Sequence, residues 1–151
     1  MGIRIVVDST SDVTNEIIEK YNLKMVPLTV NFEKESFLDK VELNSEEFFE
    51  KLSKAEKLPT TTLVSPGTFV ETFSEILVEG DKVLGLFLAP ELSGTYDSAR
   101  MAKDMIGSED IHIIDTRSVC LGAFALILEA IELVEQNKDI EEIVGELERL
   151  K

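Results

Sequence analysis

The chain has 151 residues, 44% of them apolar, and its 15 basic against 30 acidic residues give a net charge of −15. That length suits one domain burying roughly 68–70% of its unfolded surface, and the apolar share excludes a disordered chain. The acidic excess argues against nucleic acid and against an anionic membrane surface as partners, because both need a basic patch.

The first apolar run, "IRIVV" (3–7), reads as a buried strand and hands over to the hydroxyl-rich turn "DSTSD" (8–12). A helix is expected over 14–21. "KMVPLTVNF" (24–32) reads as a further strand, placed at an edge or bulge because Pro27 removes a ladder donor. "EKESFLD" (33–39) reads as a short antiparallel excursion. Asn44 precedes Glu47 by three residues, a capping-box spacing that opens a helix over 45–55. "PTTTLVSP" (59–66) reads as a loop ending in Ser65 as cap and Pro66 as first helical residue, with the helix running over 66–78 and Gly80 at its exit.

A second buried strand, "KVLGLFLA" (82–89), leads into "PELSGTYDS", where Ser93, Thr95 and Ser98 surround Gly94 and a helix over 95–106 begins. A third strand, "IHIID" (111–115), leads into "TRS" and a long apolar helix over 118–136. The last helix spans 139–150, opened by Asp139 and Glu142. The chain stops inside that helical pattern, which reads as a truncated longer protein.

Apolar runs without strict alternation, each followed by a helix, define an α/β fold. The expectation is a three-layer αβα domain, Rossmann-like, with a mostly parallel sheet of about four strands and right-handed crossovers. Cys120 excludes an intramolecular disulfide and fits a reducing compartment. "MGIRIVVDST" carries no signal-peptide pattern. The longest apolar stretch, "VCLGAFALILEAIELVE", is cut by Glu129 and Glu132 and falls short of the ~20 residues a membrane helix needs. A cytoplasmic protein that does not span a membrane is expected.

Ligands of open parallel sheets bind beyond the carboxyl ends of the strands. Four hydroxyl-rich turns converge there: Asp8–Asp12, 59–66, 89–98 and Asp115–Ser118. Helix-start N–H groups with Ser93 and Thr95 beside them make a site for one small anionic group. Against this, each hydroxyl taken singly serves as well to cap a helix. A Ser93–His112–Asp115 triad is rejected, since His112 starts its strand and Ser93 follows the end of another, about 13 Å away for four residues at ~3.3 Å each. Asp8, Thr10 and Asp12 have the oxygen chemistry of a Mg²⁺ site, but Asp8 reads better as a cap for the Ser9–Ser11 turn. Cys120 and most phenylalanines read as core.

Taken together, "VDSTSD", "PTTTLVSPGTF", "LSGTYDSA" and "IHIIDTRSVCLG", in this order and spacing, resemble the DegV family of bacterial fatty-acid-binding proteins. The resemblance spans essentially the whole chain. It implies a carrier, not an enzyme, with no cofactor, that buries a long-chain fatty acid between two domains. A separate fatty acid kinase subunit then phosphorylates the bound carboxylate for phospholipid synthesis. Thr61 and Ser93 match the family's hydroxyls on the carboxylate, and Thr62 and Gly94 match neighbours shaping that end of the pocket. Asp8, Ser9, Thr10, Thr95 and Asp115 form a secondary rim. Two departures stand out. Family members run to nearly twice this length, their second domain giving basic head-group contacts and one wall of the acyl channel. Leu63 and Val64 replace a more polar, proline-containing pattern. Without the second domain, an exposed apolar face would favour a homodimer. The competing reading is a metal-dependent α/β enzyme using Asp8 on a small phosphorylated substrate.

Overall fold

In the computed structural model, which describes residues 2–151, the three apolar runs become adjacent parallel strands. They are β1 (Ile3–Asp8), β6 (Lys82–Phe87) and β7 (Ile111–Asp115), with β2 (Lys24–Val26) on the far side of β1. The order β2-β1-β6-β7 is parallel throughout, with Val6 opposite Gly85 and Gly85 opposite Ile113.

Strand periodicity sends alternate side chains to opposite faces, and each face is covered. Ile5, Val7, Leu84, Leu86 and Ile114 pack with α5 (Leu121–Glu135) and α6 (Ile140–Leu150) through Ile127, Ala130, Ile143 and Leu147. The short helix α1 (Asn15–Lys20) adds Ile17 and Ile18 to this side. Val6, Val83, Phe87 and Ile111 pack on the other face with α3 (Pro66–Val78) and α4 (Thr95–Ile106), through Phe69, Phe73, Ala99 and Ala102. These are the three layers expected of apolar runs without alternation. At about 1.5–3 kcal/mol per buried large apolar side chain, they are the main source of stability.

The expected strand 24–32 is instead two strands in two sheets. Lys24–Val26 pairs with β1, the chain breaks at Pro27, and β3 (Thr29–Asn31) starts a second sheet, lying between β4 (Ser36–Leu38) and β5 (Thr60–Thr62). Pro27 cannot donate to a ladder, so the strand ends where it stands. The antiparallel excursion is present as β4 (Ser36–Leu38). "TTT" is not loop but β5 (Thr60–Thr62), antiparallel to β3; three β-branched residues suit a strand, and this was the missed signal. Between β4 and β5, α2 (Ser45–Lys54) opens with a complete capping box, Asn44 Oδ1 accepting from Glu47 N and Glu47 Oε2 from Asn44 N. None of its residues is buried.

Other expectations are corrected locally. The helix placed over 118–136 begins only at Leu121, because Thr116, Ser118 and Cys120 are tied into the rim described below. Phe32, Phe37, Phe48 and Phe49 are not core: they form a chain of ring contacts beside the small sheet, edge-to-face at both ends and tilted between Phe32 and Phe48, with Phe49 65% exposed. Cys120 is exposed at the helix cap with φ 53°, not buried. The helix exits at Gly80 (φ 88°) and Gly107 (φ 69°) are as expected, both in the left-handed region that glycine tolerates. Among the described residues no helix is long and apolar enough to cross a membrane.

Candidate functional site

From β1 the chain turns to β2 on one side and returns through α3 to β6 on the other, so the strand order switches between β1 and β6. The crevice beyond the carboxyl ends of these two strands is where open α/β sheets take ligands. Three turns meet there, and hydrogen bonds lace them into one rim. Cys120 N donates to Thr10 O at 3.0 Å, and Ala89 N to Ser118 O at 3.0 Å. Thr116 Oγ1 donates to Phe87 O at 2.9 Å.

Asp8 closes the lacing. Its Oδ1 accepts from Thr10 N at 2.8 Å and from Thr10 Oγ1 at 2.5 Å, and its Oδ2 accepts from Leu88 N at 2.8 Å. The residue is 1% exposed. Burial pushes its carboxyl above the usual aspartate range, and the bonds from Thr10 and Leu88 oppose that push. Both oxygens are thus spent on the protein's own donors, as the capping role requires. Ser9 is likewise internal, its Oγ accepting from Leu28 N at 3.1 Å, and Asp115 Oδ1 accepts from Arg117 N at 2.7 Å. Among the described residues no group of three or more His, Cys, Asp or Glu side chains is arranged to hold a metal ion.

The turn after β6 is different. Ser93 Oγ lies 3.0 Å from Thr95 Oγ1 and accepts a long 3.3 Å bond from Thr95 N. Gly94 precedes α4 as its cap residue and brings no side-chain cap bond, so the first helical N–H, that of Thr95, has only the long bond to Ser93. The Gly94 φ of −71° needs no glycine, and a Cβ there would come within 2.9 Å of Cδ2 of Leu63, an exposed side chain free to shift. Leu63 follows β5 directly, so its side chain, though not the threonines themselves, reaches the Ser93 turn.

Within β5 the two threonines part company, because neighbouring strand residues face opposite ways. Thr62 Oγ1 accepts from Asn31 Nδ2 at 2.9 Å. Thr61, opposite Val30, lines an open cavity of about 390 Å³ together with Asp12, Asn44, Phe48 and Phe49. Asp12 belongs to the rim, and Lys40 Nζ stands 3.8 Å from its Oδ1. Asp12 and Leu63 lie in turns the sequence placed on this rim; sequence reasoning missed Lys40, which no local pattern marks because it reaches Asp12 only through the tertiary fold.

The surroundings are anionic. Burial, then the neighbouring Asp12, raises the pKa of the Cys120 thiol, which keeps it protonated and poorly nucleophilic. Tyr96, on the first turn of α4, is raised chiefly by burial. His112 is half-buried in β7, and desolvation lowers its pKa.

A parallel sheet covered by helices on both faces defines an α/β domain. The DegV family profile (uncharacterised protein, DegV family) matches residues 2–151, and the chain belongs to that family. A DegV domain-containing protein of Clostridium perfringens is 39% identical over 145 residues, covering 96% of this chain and 52% of that protein. A solved structure from Thermus thermophilus, described as fatty acid binding of a DegV family protein, superposes with a TM-score of 0.91 at 35% identity over 99% of this chain and 53% of that one. DegV of Bacillus subtilis, described as a fatty acid binding protein, matches with a TM-score of 0.91 at 32% identity and the same coverage. The chain spans about half the length of the relatives it matches.

Proposed function

We propose that this chain binds a long-chain fatty acid, with the carboxylate received by Ser93 at the start of α4 and by Thr61 of β5. The observation that carries the reading is the turn beyond the carboxyl end of β6: the half-buried Ser93 hydroxyl, 3.0 Å from that of the buried Thr95, at the start of α4 beside the point where the strand order switches. Hydroxyls and helix-start N–H groups are donors, and the positive end of the helix dipole favours an anion. A carboxylate would replace the long Thr95 N bond to Ser93 with charge-assisted ones, which are the stronger kind. Thr62 and Gly94 shape that end of the pocket in this reading. The acyl chain needs an apolar wall, and relatives about twice as long as this chain have the residues to build one.

In the same reading the protein is a carrier without chemistry of its own. It presents the acid to a separate kinase subunit that makes an acyl phosphate for phospholipid synthesis. What supports the carrier side is that Asp8, the one residue a metal-dependent reaction would have used, has both oxygens occupied by protein donors.

The test is titration of the chain with oleate, after lipid extraction and mass spectrometry of the purified protein. Thr61→Ala with Ser93→Ala is expected to weaken binding tenfold or more per lost bond, since a hydrogen bond to a charged group contributes ~1.5–3 kcal/mol. Unchanged affinity removes these residues from the site. Indifference to oleate together with activity on a phosphate ester would favour the enzyme reading.

A further inference from the structure

We infer that Asp8 is the positioning residue of the head-group turn: a buried carboxylate clamp that holds the Leu88–Gly94 segment in register with the turn after β1. This rests on the fatty-acid reading above for its consequence, though not for its geometry. Asp8 ends β1, and each of its oxygens grips a different element. Oδ1 holds Thr10 through both N–H and O–H, which fixes the carboxylate plane against its own turn. Oδ2 reaches across the sheet to Leu88 N, the first residue beyond β6.

That amide is a critical place to hold. β6 pairs with its neighbours only to Phe87, so ladder bonding no longer dictates the path of the chain after it. Leu88 is the point where the path to Ser93 is set. Ala89 then turns the chain, its N–H on Ser118 O and its carbonyl accepting from Leu92 N at 2.9 Å and Ser93 N at 3.3 Å. The position of Ser93 is therefore inherited from two anchors, Leu88 on Asp8 and Ala89 on Ser118. Asp8 is the anchor that joins the two strands flanking the switch point. A neutral amide cannot replace it. Asparagine offers one acceptor oxygen and one NH₂, and the NH₂ would oppose either the Thr10 donors or the Leu88 N–H. One arm is lost whichever way the amide turns. The burial of an uncapped carboxylate is costly, and a residue needed only to cap the Ser9–Ser11 turn would not have to carry the second arm.

The experiment compares the wild-type chain with Asp8→Asn and Ser11→Ala by amide hydrogen exchange at Leu88 and by calorimetric titration with oleate. Ser11 Oγ donates to Asp8 O at 2.8 Å in the same buried turn, so its loss weakens the turn without touching the Leu88 arm. Asp8→Asn is expected to lower Leu88 protection at least tenfold and oleate affinity by a similar factor. Ser11→Ala is expected to lower the unfolding midpoint while leaving both readings at their wild-type values. Leu88 still protected in Asp8→Asn overturns the inference, and so does an affinity loss in Ser11→Ala equal to that in Asp8→Asn. Should Asp8→Asn not fold, Thr10→Val keeps the shape and removes one donor from the same carboxylate. It is expected to reduce Leu88 protection threefold or more, and no change overturns the clamp. A wild-type chain that ignores oleate while Leu88 protection still depends on Asp8 would sink the fatty-acid reading and leave the clamp standing.

Discussion

Gly85 lies at the centre of β6, opposite Val6 on one side and Ile113 on the other. A Cβ built there would meet Phe87 Cε2 at 2.5 Å, Phe87 Cζ at 2.9 Å and Ile113 Cδ1 at 3.3 Å. The glycine is thus the recess into which the Phe87 ring folds back, two residues along the same strand face, on its way to the edge-to-face contact with Phe69 at 4.9 Å. Gly85→Ala forces a ring that is fully buried to move, in a core with no slack. Overpacking of this kind costs about 1–3 kcal/mol. Alanine recovers roughly 0.5–1 kcal/mol, because glycine loses more chain entropy in a strand. The net loss is centred on about 1 kcal/mol and reaches about 2.5, which for a domain of this size lowers Tm by roughly 2–4 °C at the centre and about 10 °C at most. Urea and thermal unfolding, followed by circular dichroism, measure it. The double variant Gly85→Ala with Phe87→Leu should lose less than the sum of its parts, since the shorter side chain vacates the contested space. A Gly85→Ala midpoint equal to or above wild type, or strictly additive losses in the cycle, would refute the steric argument.

Asn44→Ala removes the side-chain half of the α2 capping box, the bond from Glu47 N to Asn44 Oδ1, and keeps the backbone half; a loss of about 1 kcal/mol is expected, seen as faster amide exchange confined to 45–54 because that helix buries no residue. Cys120 holds φ 53° and ψ −128°, where a side chain is strained by about 1–3 kcal/mol, so Cys120→Gly is expected to raise the urea midpoint; a lower midpoint would show that no strain is stored there. His112 is depressed by desolvation and then by Lys103 and Lys82, against Glu141 and Asp110. The folded state therefore binds its proton less readily than the unfolded chain. Stability on this account is complete above pH 6.5 and declines as pH falls through the lower folded value. His112→Gln should flatten the dependence of unfolding free energy on pH between about 7 and 5, and an unchanged slope would remove His112 from the pH response.

The three parallel strands, the six helices and most of their caps were legible in the sequence because they are local. Runs such as "IRIVV" and "IHIID" are apolar on both faces, and caps such as Asn44 and Ser65 act over three residues. The DegV resemblance rested on such segments as well, and the family match extends it over residues 2–151. What local pattern could not reveal was pairing. Thr60–Thr62 is a strand only because β3 lies alongside it, and Pro27 divides one apolar run between two sheets. Thr61 and Thr62, adjacent in sequence, face opposite ways once that strand forms. Cys120 is exposed because Thr10 O captures its N–H and delays the helix to Leu121. Asp8 shows the division most clearly. The sequence determined its bond to Thr10, two residues away, through the turn propensity of aspartate. Only the tertiary structure decided its bond to Leu88, 80 residues away, since that partner arrives when β6 docks beside β1 and the closed sheet leaves the carboxylate no water to bind.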